Sequence, residues 1–170
     1  MIIKSFNLND LKNNNSTFYL FYGENEGHKE EAINNYFLKN FKGEIIKYDE
    51  NQILENEDVF LENCLNESLF DSTKIIIVSR VTVKLLEVIK KLNEKEIHNK
   101  MIIFNSGLLE KKSKLREFFE KEKNVVCTAF YEDSHSSLFK IAQDQFFKNK
   151  ISISSENINL VIEKCSNDRK

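Results

Sequence analysis

The stretch Phe18-Tyr19-Leu20-Phe21-Tyr22-Gly23-Glu24-Asn25-Glu26-Gly27-His28-Lys29-Glu30 decides how the rest of the chain is read. Five consecutive aromatic or apolar residues ending at a glycine predict a buried strand that stops in a turn. Over residues 29–41 the apolar positions Ala32, Ile33, Tyr36, Phe37 and Phe41 return at helical spacing, so one face of a helix turns to a core, and Gly43 ends it. Strand, turn and helix make the first half of a βαβ unit, and the alternation continues downstream. Further strands are expected at 44–48, 74–78, 101–104 and 125–129. Between them, Asn56 caps a helix that turns Val59, Phe60 and Cys64 inward. A second helix buries Leu85, Leu86, Val88, Ile89 and Leu92, and a third, capped by Ser113, buries Leu115, Phe118 and Phe119. All five strands read as short apolar runs, as burial on both faces requires. The expectation is an α/β fold with a parallel five-stranded sheet and flanking helices.

After Phe130 the strand signal stops. Ser134 or Ser136 opens a helix with Leu138, Ile141, Ala142 and Phe146 inward, and Ser154 or Ser155 opens another with Ile158, Val161, Ile162 and Cys165 inward. A boundary is therefore expected at 133/134, giving an α/β domain over 1–133 and part of a small helical domain over 134–170. Two helices make a poor core and no closing element follows Asp168-Arg169-Lys170, so the chain reads as truncated at its C-terminus.

The 170 residues are 41% hydrophobic and 31% charged, which fits a globular chain and argues against disorder. A net charge of −2 offers no global attraction for nucleic acid, so any such contact must be local. The longest apolar run, at 75–78, is too short for a membrane span, and no signal-peptide pattern opens the chain. Cys64, Cys127 and Cys165 are widely spaced, without a C-x-x-C pair, and are expected to be free, buried, small hydrophobes in a reducing cytoplasm. His28, His98 and His135 share no metal spacing and are expected at the surface, so no metal site and no cofactor is anticipated.

A phosphate-binding loop occupies the position of residues 23–30 in nucleotide-binding α/β proteins. It needs G-x-x-x-x-G-K-[ST]: backbone N–H groups cradle the phosphates, the lysine neutralises charge, and the hydroxyl ligates magnesium. Here Gly23 and Gly27 are one residue too close, His28 separates Gly27 from Lys29, and Glu30 stands in place of the hydroxyl. Glu24 and Glu26 place negative charge where phosphates would lie. The strand at 75–78 should end in an acidic magnesium-binding residue but runs into Ser79-Arg80. Gly23, Gly27 and Lys29 thus mark a degenerate loop that is not expected to bind nucleotide.

Four features, in order along the chain, resemble the delta subunit of the bacterial DNA polymerase III clamp loader. They are the opening strand and degenerate loop 18–24; Ser68-Leu69-Phe70 between an amphipathic helix and a strand; the strand 101–104 followed by Leu108, Leu109, Lys111, Lys112, Ser113, Lys114 and Leu115; and the run 153–169 with Asn167-Asp168-Arg169 closing a helix. The resemblance implies an AAA+-like domain without ATPase activity, sheet order 5-1-4-3-2, and a partial helical lid. By the same resemblance the 170 residues are expected to hold none of the family's C-terminal collar domain. It further implies a non-catalytic subunit of the polymerase holoenzyme that binds and opens the sliding clamp for loading on primed DNA. Partners would be the clamp and the other loader subunits. Oligomerisation through the collar being unavailable, the chain is expected to be monomeric.

In the family the Leu and Phe matching Leu69 and Phe70 enter a hydrophobic pocket on the clamp. The residues are consistent with this, since two large apolar side chains sit between the polar, turn-forming flanks Asn66-Glu67 and Asp71-Ser72. The alternative is that the pair staples the helix end to the sheet. Lys111, Lys112 and Lys114, with Arg116, form a basic cluster that offers a DNA phosphate contact, although Glu110, Glu117, Glu120 and Glu122 surround it and favour a salt-bridged helix face. Arg169 falls where related ATPases place a nucleotide-sensing arginine, and no such role is assigned to it. The competing readings are an atypical P-loop-like NTPase and a delta-prime-type inactive subunit. The latter is expected to carry a cysteine-rich zinc module that this sequence lacks.

Overall fold

A computed structural model describes residues 1–66, 73–165 and 169. Five parallel strands, β1 (Phe18–Tyr22), β2 (Glu44–Asp49), β3 (Lys74–Ser79), β4 (Lys100–Asn105) and β5 (Val125–Ala129), form one sheet in the order β2-β3-β4-β1-β5. This is the order 5-1-4-3-2 read from the other edge. Among the described residues seven α-helices accompany it: α1 (Glu26–Ile33), α2 (Glu50–Glu55), α3 (Glu57–Leu65), α4 (Leu86–Asn93), α5 (Lys114–Lys121), α6 (His135–Lys148) and α7 (Ser155–Lys164).

Side-chain alternation along the central strands explains the layering. Phe18, Leu20 and Tyr22 of β1, with Ile76, Val78, Ile102 and Phe104, face one core, which α2 to α5 close with residues such as Ile53, Phe60, Leu86 and Phe119. Tyr19 and Phe21, with Ile75, Ile77, Ile103 and Val126, face the other, closed by α1, by Phe37 and by the N-terminal residues Ile3, Leu8 and Leu11. Both faces of β1 are therefore apolar, and all five of its residues are buried.

Several expectations are corrected. β2 is an edge strand and is largely exposed, with Ile45 at 42%, so its apolar run does not report burial on both faces. The other edge, β5, is covered by the N-terminus: the Cys127 N–H donates to the Met1 carbonyl (2.9 Å), and the Ile3 N–H to the Cys127 carbonyl (3.0 Å). The first helix begins at Glu26, three residues early, because the Asn25 side chain caps it, and it continues into a π-helical turn over Asn34–Leu38. A separate short helix, α2, precedes α3. Asp49 caps it by accepting from the Asn51 N–H, while Gln52 Oε1 accepts from the Asp49 N–H. Val59, expected inward, is exposed, and so are Val161 and Cys165 on α7 and at its end. His28 is half-buried rather than at the surface, set edge-on against Phe130 with ring centroids 5.0 Å apart.

Beyond β5, α6 and α7 are capped by Ser134 and Ser154 and pack on each other through Leu138, Ile158 and Ile162. No helix among the described residues is long and apolar enough to cross a membrane.

Cys64 and Cys127 are buried, and burial pushes both thiols up to about 12, against the pull of Lys100 on Cys64. One thiol per chain, Cys165, should therefore react quickly with an aromatic disulfide reagent in the native protein, and all three after denaturation. Phe104 lies fully buried against Phe18 and Phe119, with centroids at 6.2 and 5.8 Å. Phe104→Ala should cost about 3–5 kcal/mol in urea-unfolding stability through the cavity it leaves.

The candidate phosphate-loop and partner-binding sites

At the carboxyl ends of β1, β3 and β4 lies a cleft of about 800 Å3, the place where open parallel α/β sheets hold ligands. The turn that borders it is built tightly. Gly23 has φ +124°, and a Cβ there would lie 2.1 Å from the Phe130 carbonyl oxygen, so only glycine lets β1 pass the end of β5. Asn25 Oδ1 then accepts from the His28 N–H at 2.9 Å and starts α1.

Several of the groups a phosphate would use are already engaged. The Gly23 N–H donates to the Gly107 carbonyl (3.0 Å), the Asn25 N–H to the Phe130 carbonyl (3.3 Å), the Glu26 N–H to the Glu24 carbonyl (2.9 Å) and the Lys29 N–H to the Asn25 carbonyl (3.1 Å). Lys29 itself is fully buried. Its Nζ donates to the carbonyls of Gly23 (2.8 Å) and Ser106 (2.6 Å) and pairs with Glu26 Oε1 (2.7 Å). The ammonium thus ties the end of β1, the residue after β4 and the first turn of α1 together. Gly27 is buried in that turn, and Glu24 is exposed beside it.

The opposite wall supplies no acidic metal ligand at the end of β3. Ser79 is followed by Arg80, a residue with φ +59° whose guanidinium pairs with Asp49 at 2.6 Å. Ser106 Oγ donates to the Val81 carbonyl (2.6 Å), which holds the β3 and β4 exits together. Glu26, Glu30 and Glu110 line the cleft against Arg80 and Lys112, so its charge is mixed. No group of His, Cys, Asp and Glu among the described residues has a metal-holding arrangement.

Ser68, Leu69 and Phe70 lie outside the described residues. Both flanks of that segment are firmly held. Lys100, buried on β4, donates from Nζ to the carbonyls of Cys64 (2.8 Å) and Asn66 (2.5 Å) at the end of α3. On the far side, the Glu44 N–H donates to the Thr73 carbonyl (3.1 Å), and a Cβ on Gly43 would lie 2.0 Å from that oxygen.

The basic cluster divides in two. Arg116 pairs with Glu120 (2.7 Å) beneath the Tyr22 ring, and Lys121 with Glu117 (2.6 Å), so this part of α5 is the salt-bridged face. Lys111, Lys112 and Lys114 are exposed at the start of α5 and form no ion pair with described residues.

Sequence reasoning passed over Asp133. Its carboxylate receives the Arg169 guanidinium through Nε to Oδ2 and through Nη2 to Oδ1 (2.7 Å), and Asn25 Nδ2 donates to Oδ2 at 2.7 Å. Burial pushes the Asp133 carboxyl up, but these hydrogen bonds and the guanidinium charge outweigh it and hold it below its ordinary value. Burial lowers His28, and the charge of Arg169 lowers it further.

Lys29→Met should lower stability by about 1–3 kcal/mol in chemical denaturation, because two buried carbonyls lose their charged donor. Equal stability of variant and wild type would show that the ammonium holds nothing together.

No family model matches the chain, and no curated protein matches it in sequence. Solved structures do. Domain III of the replication initiation protein DnaA from Thermotoga maritima aligns at TM-score 0.56 and 14% identity, over 94% of this chain and 74% of that one. The Bacillus subtilis DNA clamp loader delta protein YqeN aligns at 0.60 and 12%, over 93% of this chain and 51% of that one. The Walker-type ATPase PABY2304 of Pyrococcus abyssi aligns at 0.54 and 10%, over 94% and 61%. The chain thus spans about half the length of the delta protein it matches. At these identities the likeness is one of fold, a five-stranded parallel α/β sheet with flanking helices.

Proposed function

We propose that this chain is a non-catalytic, delta-type subunit of a bacterial clamp loader that binds and opens the sliding clamp. The observation that carries the reading is the phosphate loop filled by its own lysine. Lys29 is spent on Gly23, Ser106 and Glu26, the N–H groups of Gly23, Asn25, Glu26, His28 and Lys29 are engaged within the chain, and β3 ends without an acidic residue. An AAA+-like fold without its phosphate chemistry fits a subunit that acts by binding. The fold likeness to a clamp loader delta protein and to a DnaA domain supports a place in replication.

In this reading residues 1–133 form the clamp-binding domain and 134–170 part of a helical lid. Ser68, Leu69 and Phe70 are the clamp-binding residues. The anchored flanks at Asn66 and Thr73 support presentation of a short segment from a rigid base. Two apolar anchors entering one clamp protomer would favour the open ring by binding it more tightly than the closed one. Other loader subunits, using ATP, would govern access to this surface in the cytoplasm. Lys111, Lys112 and Lys114, exposed and in no ion pair among the described residues, are the candidate contacts to primed-DNA phosphate.

Surface plasmon resonance with the cognate clamp tests the reading. Wild type should bind, and Leu69→Ala/Phe70→Ala should weaken binding about 30-fold or more, equivalent to about 2 kcal/mol, with the circular dichroism spectrum unchanged. ATP should leave the melting temperature where it is. Absent clamp binding together with an ATP-dependent rise in melting temperature would replace this reading with the NTPase alternative.

A further inference from the structure

The helical pair α6–α7 has an apolar cluster of its own, built on Leu138, Ile158 and Ile162 and separate from the two cores that flank the sheet. Its tie to the α/β layers runs through charge. Arg169, beyond α7, places its guanidinium on both carboxylate oxygens of Asp133 in the connection between β5 and α6. Its Nη1 donates to Glu31 Oε2 on α1 at 2.8 Å. Asp133 is held in turn by Asn25, whose Nδ2 also donates to the Tyr131 carbonyl at 3.1 Å and whose Oδ1 caps α1. The Arg169 and Asp133 side chains are 14% and 9% exposed, so solvent screens the pair little.

We propose that Arg169, Asp133 and Asn25 form a latch that sets the orientation of α6–α7 against the first turn of α1 without any nucleotide. A two-pronged arginine–carboxylate pair fixes direction as well as distance, which a single lysine contact does not. The three partners come from three places: the turn after β1, the exit of β5, and the residue beyond α7. Holding them together fixes the angle at which the chain leaves the sheet. Within the connection the Tyr131 and Glu132 side chains are exposed, and the Tyr131 carbonyl is held by Asn25, a member of the same latch. Breaking the guanidinium contact leaves both packed units intact and frees one to turn on the other. This inference does not depend on the clamp-opening reading.

Electron–electron double resonance between spin labels tests it. Labels go on Asp144→Cys of α6 and on Lys84→Cys in the turn after β3, both exposed, in a Cys165→Ser background; Cys64 and Cys127 are buried and stay unlabelled. The parent should give one narrow distance distribution, unchanged by ATP. Arg169→Ala should shift and broaden it while the circular dichroism spectrum is retained. Arg169→Lys, which keeps the charge and loses the fork, should give a distribution of intermediate width, and it carries the test if the alanine variant fails to fold. A parent-like distribution in either folded variant overturns the latch, as does a parent distribution that narrows or moves when ATP is added.

Discussion

Lys29 carries a full charge into a position with no solvent exposure. Desolvating an ammonium costs several kcal/mol, and the carbonyls of Gly23 and Ser106 and the carboxylate of Glu26 offset that cost. Those partners belong to the exit of β1, the exit of β4 and the first turn of α1. The central strands must therefore end at matching heights, and the helix must begin at Glu26 for its carboxylate to reach. The same arrangement closes the turn as a phosphate cradle. A ligand there would have to displace the lysine from two carbonyls and meet Glu26 with like charge.

Much of the fold was legible because the central strands are buried on both faces, so a plain apolar run was an adequate signal at 18–22, 74–78 and 101–104. The rule misread β2, since Ile45 and Ile46 resemble the isoleucines of β3 but lie at an edge. Apolar periodicity located α4 and α5 and missed the start of α1, whose residues Glu26, Gly27 and His28 offer no apolar stripe; Asn25 was the available cue. For α2 the cue was the pair Asp49 and Gln52, a capping box in a segment too short to show a period. Cys165 was read inward from its helical spacing, yet among the described residues nothing covers the last turn of α7 there and the thiol is exposed.

The departures of residues 23–30 from a phosphate-binding motif were legible in the sequence, because each one removes a specific donor or ligand. The destination of Lys29 was not legible, since a lysine among glutamates looks like a solvated residue until the backbone carbonyls around it are known. Lys100 is a second case, a charged residue that enters β4 and ends at the carbonyls closing α3. Asp133 and Arg169 are 36 positions apart; Arg169 was singled out by its place in the chain, but no local pattern pairs it with Asp133, and only folding brings them together.

These features converge on the first turn of α1. Asn25 begins the helix with its oxygen and grips Asp133 with its nitrogen, while Lys29, one turn on, draws in β1 and β4. Glu31, on the same helix, meets Arg169. One helix start therefore touches the sheet, the loop and the connection to the helical pair. In a nucleotide-binding relative of this fold, a phosphate at that helix terminus would be the natural common partner of such groups. Here fixed side chains complete the same contacts. In the proposed reading the geometry would not depend on a diffusible ligand, and a surface borne by the α/β unit would be presented in one constant arrangement, as a binding subunit requires.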